Sequence, residues 1–268
     1  MTSPHSPINP STHKPSSVRE KILGSAISFP ESYEDAYEKI RDLALRENAS
    51  GYITVNNVHT VVEGVLNSDY QQITNNALMA LPDGKPLSVV AKKRGITHAT
   101  RIFGPTFFEK ALEMGQADNL RHFFFGSSPE VLKQMQVQCA QRFPDASIVG
   151  AISPPFRPLT AEENAGFMDA INQSNADIIW VGLGAPRQER WMAQHAHLLN
   201  KGVMIGVGAG FDYLAGNTRH APEWMKNASL EWLYRLIQEP GRLWKRYVVT
   251  NSLFLIYIFL EQLGLKKF

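Results

Sequence analysis

Asp177-Ile-Ile-Trp-Val-Gly-Leu-Gly-Ala-Pro-Arg-Gln-Glu-Arg190 is the segment of the chain that says most about its architecture. The apolar run at residues 177–181 predicts a buried strand, and the glycines that follow it predict a tight turn. Proline is typical of a first helical position, so residues 186–199 are predicted to form a helix. A buried strand that enters a helix through a glycine-bearing turn is the repeating unit of a parallel α/β sheet.

Short apolar runs and amphipathic stretches alternate along the rest of the chain. Predicted strands cover residues 52–56, 86–91, 122–125, 147–152, 177–181 and 203–207, and predicted helices cover residues 106–117, 129–143, 161–174 and 186–199. Thr160 and Glu163 form a capping-box pattern at the start of the third helix. The alternation predicts an α/β fold with a Rossmann-like parallel sheet flanked by helices.

The composition excludes several classes of protein. A formal net charge of +2 with 19% charged residues gives no reason to expect nucleic acid as a partner. Cys139 is the single cysteine, which excludes an internal disulfide and a cysteine-rich zinc site. A packed thiol is the simpler interpretation of this residue, and such sparing use of cysteine fits a reducing cytoplasm.

Three regions of the chain differ in composition. Residues 1–20 are rich in Pro, Ser and Thr and lack the apolar core of a secretory signal, which predicts a disordered leader. Residues 21–221 are predicted to form an α/β domain, and residues 222–268 a helical appendage. Within the appendage, residues 222–238 predict an amphipathic helix that the Glu-Pro-Gly sequence at 239–241 ends.

The appendage combines cations with apolar side chains. Arg242, Lys245 and Arg246 lie beside Trp244, and residues 253–260 form an apolar run that is too short to span a bilayer. This composition favours attachment to a membrane surface. One alternative is that the apolar run packs on the core. Another is that it packs on a second subunit, so that the chain forms a homo-oligomer.

Glycine-bearing turns follow three of the predicted strands, at residues 125–128, 181–186 and 207–210. In open α/β sheets, ligands bind beyond the carboxyl ends of the strands, and glycine lets backbone amides approach a phosphate. None of these turns is a dinucleotide fingerprint or a P-loop. Each turn alone is more commonly structural, whereas three at one sheet edge favour a nucleotide-like ligand, with Gly184 among its contacts.

Asp83 lies in Leu81-Pro-Asp-Gly-Lys-Pro86, a turn sequence that precedes a predicted strand. A carboxylate in such a loop is suited to deprotonate the hydroxyl group of an acceptor. The alternative is a structural role, since Asp-Gly is a common turn dipeptide.

Other polar residues occupy positions near the same predicted edge. Thr54 and Asn56 end the first predicted strand, and Arg101 precedes a predicted helix, where a guanidinium suits a diphosphate. The amide of Gln188 suits the edge of a uracil base. Each of these also has a structural interpretation as a capping or helix-surface residue. The chain has no Asp-x-Asp pair, so neither a metal ion nor another cofactor is predicted.

Taken together and in this order, these motifs resemble the WecG/TagA/CpsF glycosyltransferases (glycosyltransferase family 26). The likeness rests on Thr54-Val-Asn56, Pro82-Asp-Gly84, Arg101-Ile-Phe-Gly104, Val181-Gly-Leu-Gly-Ala-Pro-Arg-Gln-Glu189, Gly206-Val-Gly-Ala-Gly-Phe-Asp212, Ala215-Gly216, Arg219-His-Ala-Pro222, Leu230-Glu-Trp-Leu-Tyr-Arg235 and Glu239-Pro-Gly-Arg242. Each segment alone is weak, whereas the ordered set is specific.

The resemblance implies an inverting, metal-independent transferase. Its substrates are implied to be a UDP-sugar donor and an undecaprenyl-diphosphate-linked sugar acceptor, in the synthesis of cell-surface polysaccharide. The sugar is of hexose type, and N-acetylmannosamine, its uronic acid and glucose all fit. The implied location is the cytoplasm, at the inner face of the plasma membrane. A non-catalytic nucleotide-binding protein and a nucleotide-dependent oxidoreductase are the alternatives.

The resemblance also implies roles for residues of the α/β domain. Asp83 matches the general base, and Asp212 is a second carboxylate that competes for this role. Thr54 and Arg101 match pocket residues near the donor and the acceptor, and Gln188 matches a contact to the nucleotide. Arg101 is also predicted to be catalytic, by stabilising the charge that develops on the leaving diphosphate together with the cations of the appendage.

In the appendage, Arg235 and Arg242 match basic residues that the family brings over its active site. Lys245 stands where a third arginine is expected. Lysine keeps the charge but loses the planar fork of donors, so Arg246 is the alternative for that role.

Overall fold

The computed structural model describes residues 18–47, 50–227 and 230–268, apart from the side chains of residues 226, 227 and 242. The strands are β1 (Val18–Ile22), β2 (Ser25–Phe29), β3 (Ser50–Asn56), β4 (Met79–Pro82), β5 (Arg121–Gly126), β6 (Ser147–Ile152), β7 (Ile178–Gly182) and β8 (Gly202–Gly206). The helices are α1 (Tyr33–Ala44), α2 (Val58–Leu66), α3 (Ser68–Asn76), α4 (Lys85–Lys93), α5 (Gly104–Gly115), α6 (Pro129–Arg142), α7 (Ala161–Ser174), α8 (Arg187–His195), α9 (Gly210–Leu214), α10 (Glu223–Asn227), α11 (Glu231–Gln238) and α12 (Pro240–Gln262). Of the leader predicted for residues 1–20, residues 1–17 lie outside the described part of the chain. Residues 18–20 belong to β1.

Strands β3 to β8 form one sheet in the order β4-β3-β8-β7-β5-β6, and every neighbouring pair is parallel. Alternate residues of β7 belong to different core clusters, with Ile178 and Trp180 in one and Ile179 and Val181 in the other. Side chains of successive strand residues point to opposite faces, so both faces of the sheet are buried under helices. The predicted α/β fold is confirmed.

Two local predictions are also confirmed. The Glu163 N–H donates to Thr160 Oγ1 at 3.2 Å and the Thr160 N–H donates to Glu163 Oε2 at 2.9 Å, which completes the capping box at the start of α7. Cys139 is buried in α6, where burial raises the pKa of its thiol to about 12. This residue is a packed side chain.

The strand predicted at residues 86–91 is wrong, because these residues lie in α4 and the strand at this position is the preceding β4. Pro86 lies in the first turn of α4. Backbone N–H groups in a first turn have no acceptor within the helix, so proline loses no hydrogen bond there. Leu87, Val90 and Ala91 are buried, and their spacing of three and four residues follows a helical face. The apolar run therefore belongs to an amphipathic helix.

The appendage contains three helices, so the single helix predicted at 222–238 is divided into α10 and α11, with residues 228 and 229 outside the described part. Leu243, Phe254 and Ile258 bury one face of α12, and the last two pack in a cluster with Val58 and Val61 of α2. The alternative prediction for the apolar run, that it packs on the core, therefore holds for one face of α12.

The opposite face of α12 is exposed. It carries Trp244, Val248, Val249, Leu255, Ile256 and Phe259, each of which is at least 47% exposed. Over the ranges that the structure describes, no helix combines the length and apolar composition that crossing a membrane requires.

Candidate functional site

A cavity of about 150 Å³ opens at the carboxyl edge of the sheet, among the loops that follow β3, β4, β7 and β8. Its lining consists of Val55, Asn57, His59, Thr60, Asp83, Phe103, Gly104, Pro105, Gly184, Ala185, Gln188, Gly206, Val207, Gly208, Ala209, Arg235 and Arg246. A larger depression of about 280 Å³ lies beside α8, but none of the predicted site residues described in the structure lines it. The smaller cavity is therefore the candidate site.

Asp83 lies in the loop between β4 and α4, and three backbone amides hold this loop. The N–H groups of Asp83 and Gly84 donate to the main-chain oxygen of Asn56 at 2.7 and 3.2 Å. Asp83 Oδ1 accepts from the N–H of Gly104, the first residue of α5, at 2.9 Å. The N-terminus of a helix favours a negative charge, so this arrangement suits a carboxylate that faces the cavity.

Arg101 lies behind Asp83 and is not among the described lining residues. Its Nε donates to the main-chain oxygen of Asp83, its Nη1 donates to Glu231 Oε2, and its guanidinium stacks 4.4 Å from the centre of the Phe103 ring. Burial opposes the charge, but the nearby carboxylates of Asp83 and Glu231 outweigh it and raise the pKa of Arg101. Arg101 therefore braces the Asp83 loop and stays fully charged.

Thr54 and Asn56 lie beneath the cavity and are almost completely buried. Asn56 Nδ2 donates to Thr54 Oγ1 at 2.7 Å, and Asn56 Oδ1 lies 3.4 Å from the hydroxyl of Thr60, which lines the cavity. These polar groups form a connected set under the site and reach the cavity through Thr60.

Gln188 and Gly184 meet at the start of α8. The Gly184 N–H donates to Gln188 Oε1 at 3.2 Å, and Gln188 Nε2 donates to Glu189 Oε1 at 2.8 Å, so both ends of the amide are held. Gly206 makes room for this side chain, because a Cβ atom at that position would lie 2.9 Å from Gln188 Nε2. The amide therefore has a fixed orientation at the wall of the cavity.

Glu189 is a buried carboxyl group that supports Gln188, and no sequence motif singles out its titration. The residue is 1% exposed, and its Oε1 accepts from Gln188 Nε2 at 2.8 Å. Burial raises the pKa of Glu189 to about 7, although the hydrogen bond from Gln188 acts in the opposite direction. This carboxyl therefore takes up its charge near neutral pH.

The titration of Glu189 predicts a pH dependence of stability. Between the ordinary pKa of 4.5 and the folded value of about 7, the folded chain holds a proton that the unfolded chain has released. The free energy of unfolding therefore falls as pH rises through this window, by roughly 1.4 kcal/mol per pH unit. Glu189→Gln should remove this contribution while keeping an acceptor for Gln188.

Urea unfolding gives the free energy of unfolding of wild type and of Glu189→Gln at about pH 5 and at about pH 8. The contribution of Glu189 is the difference between the two proteins in how much this free energy changes from the lower pH to the higher. The variant is expected to gain stability relative to wild type at the higher pH. Equal pH dependence in the two proteins would show that Glu189 is not protonated in the folded chain.

The appendage supplies the positive wall of the cavity. Arg235 of α11 and Arg246 of α12 line it, whereas Lys245 is exposed and is absent from the described lining. The side chain of Arg242 lies outside the described residues. His59 shares the lining with Arg246, and burial together with the charge of Arg246 lowers the pKa of His59 to about 4. The cavity therefore has a neutral histidine and two guanidinium groups near one carboxylate.

Asp212, the second candidate carboxylate, lies in α9 and is half-buried, and it is not among the described residues that line the cavity. In the part of the chain that the structure describes, no group of three or more His, Cys, Asp or Glu side chains is arranged to hold a metal ion.

The Glycosyl transferase WecG/TagA/CpsF family matches this chain over residues 21–268. The chain belongs to this family. As a member of the WecG/TagA/CpsF family it is a glycosyltransferase, in place of the oxidoreductase and the non-catalytic nucleotide-binding protein that were the alternatives. The resemblance inferred from the ordered motifs is confirmed.

Two relatives of this WecG/TagA/CpsF glycosyltransferase carry the name N-acetylglucosaminyldiphosphoundecaprenol N-acetyl-beta-D-mannosaminyltransferase. The protein from Bacillus spizizenii is 28% identical over 233 residues, which cover 87% of this chain and 86% of the relative. The protein from Bacillus subtilis is 29% identical over 194 residues, which cover 72% of this chain and 73% of the relative.

Proposed function

We propose that this glycosyltransferase moves N-acetylmannosamine from a UDP donor to undecaprenyl-diphosphate-linked N-acetylglucosamine, with inversion at the anomeric carbon. The names of both relatives contain this sugar and this acceptor. The observation that carries the proposal is that Asp83, Arg235 and Arg246 line the same cavity. A base that activates a hydroxyl and cations that stabilise a departing diphosphate are the groups that such a transfer requires.

Asp83 acts as the general base. Its Oδ1 accepts from the Gly104 N–H, and we assign Oδ2 to the hydroxyl of the acceptor sugar. The hydroxyl oxygen attacks the anomeric carbon of the donor while its proton passes to Asp83. The bond between the anomeric carbon and the diphosphate oxygen breaks, and UDP leaves with the electron pair. A single displacement of this kind inverts the anomeric centre.

The donor lies along the wall that Gln188 and Gly184 form. The held amide of Gln188 presents a donor and an acceptor group in fixed positions, which suits recognition of the nucleotide. Thr54 and Asn56 lie below the donor, where Asn56 Nδ2 donates to Thr54 Oγ1 and Asn56 Oδ1 lies 3.4 Å from the Thr60 hydroxyl. The backbone of Asn57 holds that hydroxyl at the floor of the cavity. No cofactor takes part in this scheme.

Arg235 and Arg246 stabilise the charge that develops on the leaving diphosphate. Their guanidinium groups carry forks of donors that match phosphate oxygens. We assign the role of the third appendage cation to Arg246 instead of Lys245, because Arg246 lines the cavity and Lys245 is exposed to solvent. A role for Arg242 stays a prediction.

The enzyme meets its lipid-linked acceptor at the inner face of the plasma membrane, through the exposed face of α12. Trp244, Val248, Leu255 and Phe259 lie within an arc of about 60° on this helix, since an α-helix turns once in about 3.6 residues. All four are at least 56% exposed. An apolar stripe beside a cationic active site suits the boundary between lipid head groups and acyl chains.

The triple variant Trp244→Ser, Leu255→Ser and Phe259→Ser is expected to lower the fraction of enzyme that sediments with anionic phospholipid vesicles at least tenfold. Each lost side chain removes roughly 2 kcal/mol of apolar transfer energy. Turnover of a short-chain acceptor in solution should persist, because the three side chains point away from the core. Val137→Ser, Leu66→Ser and Leu198→Ser, on exposed apolar residues of the α/β domain, form the matched control. Equal sedimentation of both triple variants would refute attachment through α12.

The proposed reaction is tested with a panel of radiolabelled UDP-sugars and a short-chain prenyl-diphosphate-linked N-acetylglucosamine. UDP-N-acetylmannosamine should yield a β-linked disaccharide lipid, whereas its uronic acid and UDP-glucose should yield little. Preferential transfer from either of the other two donors would correct the sugar. Failure of every UDP-sugar to react would refute the proposed function.

A further inference from the structure

A partly buried ion pair joins the appendage to the loop that carries the proposed base. Glu231, the first residue of α11, is 5% exposed, and its Oε2 accepts from Arg101 Nη1. Arg101 Nε donates to the main-chain oxygen of Asp83, and Arg101 Nη2 lies 3.9 Å from Asp83 Oδ1. One guanidinium is therefore shared between two carboxylates that come from different parts of the chain.

The two carboxylates are not equivalent partners of Arg101. Glu231 is in direct hydrogen-bond contact, whereas the Asp83 carboxylate lies beyond hydrogen-bond distance. Stacking on Phe103 restricts the plane of the guanidinium. If the guanidinium turned toward Asp83, a bidentate pair would occupy the oxygen lone pairs that the carboxylate needs in order to accept a proton.

We propose that Glu231 is a positioning residue that holds the Arg101 guanidinium away from the Asp83 carboxylate and, through Arg101, steadies the Asp83 loop. This inference rests on the proposed role of Asp83 as the base. Glu231 is absent from the described lining of the cavity, so its influence reaches the reaction through Arg101. Because Glu231 belongs to α11, the appendage must be docked for the base to be available.

Glu231→Gln tests this role, because it removes the charge and keeps the shape of the side chain. We expect kcat to fall roughly 10- to 100-fold, the range for small misplacements of reacting groups, with an unchanged KM for the UDP-sugar. Glu231→Asp keeps the charge and should recover part of kcat. A loss that appears in KM alone would overturn the proposal.

Glu261→Gln is the matched control. Glu261 of α12 also pairs with an arginine of the α/β domain, Arg94, but neither residue is among those described as lining the cavity. Its loss should leave kcat unchanged. If both variants lost kcat equally, Glu231 would merely attach the appendage and the proposed positioning role would be refuted.

A double variant separates action through Arg101 from an independent effect. If Glu231 acts through Arg101, combining Glu231→Gln with Arg101→Gln should lower kcat no further than the more damaging single change. A double variant whose loss equals the product of the two single losses would overturn the proposal.

Hydrogen exchange gives a readout that needs no substrate. The amide of Gly104 donates to Asp83 Oδ1, so it should exchange faster in Glu231→Gln than in wild type or Glu261→Gln. Transfer by the wild type is measured in parallel. A wild type without transfer refutes the proposed function, whereas unchanged exchange at Gly104 refutes the role of Glu231.

Discussion

Replacing Asp83 with asparagine is expected to lower kcat by roughly 10²- to 10⁴-fold, the range that general bases contribute. Asparagine has the same shape, and its Oδ1 can still accept from the Gly104 N–H, so the loop keeps its position. The lost capacity is that of taking the proton from the acceptor hydroxyl. The affinity for UDP should therefore stay unchanged, and the loss should appear in kcat.

Initial rates with a labelled donor and calorimetric titration with UDP measure the two quantities separately. Asp212→Asn is the informative comparison, because Asp212 is the second carboxylate of the family motifs and does not belong to the described cavity lining. It should retain far more turnover than Asp83→Asn. If Asp83→Asn worked at the wild-type rate, or if Asp212→Asn were the more damaging change, the base would have to be assigned again.

The β7–α8 unit was predictable in type and order because each of its signals is local, although α8 begins after Pro186 and ends at His195 instead of residue 199. The apolar run, the glycine turn and the proline all act on their immediate neighbours in the chain. Residues 86–91 were mistaken for a strand because short β-branched runs suit both a strand and one face of a helix. The burial of Leu87, Val90 and Ala91 with exposure of Val89 distinguishes the two, and burial is a property of the folded chain.

The candidate site was predictable only for residues whose type and local motif indicate a role without knowledge of their partners. Asp83, Gln188 and Gly184 were identified as candidates, and all three line the cavity. The orientation of Arg101 was not predictable, because its partner Glu231 lies 130 residues further along the chain. A single sequence does not specify which carboxylate meets a given guanidinium, so the brace behind Asp83 became visible only in the folded chain.

The same reasoning applies to the basic residues of the appendage, because only the folded chain shows that Arg235 and Arg246 line the cavity and that Lys245 is exposed. Combining Arg235→Gln with Arg246→Gln is expected to lower kcat/KM roughly 10²- to 10⁴-fold. Hydrogen bonds to charged groups contribute about 1.5–3 kcal/mol each, and two of them together account for this range. The reason is that both guanidinium groups line the cavity from which we propose that the diphosphate leaves.

Lys245→Gln is the matched control for this loss, because Lys245 carries the same charge in the same helix as Arg246 but is exposed to solvent. Initial rates over a range of donor concentrations should show wild-type kcat/KM for the lysine variant. If Lys245→Gln lost as much as the double arginine variant, net charge of the appendage, acting at the membrane or at long range, would explain its contribution. If only the arginine variant fails, the contribution depends on the fork of donors at the cavity, and the appendage is part of the active site.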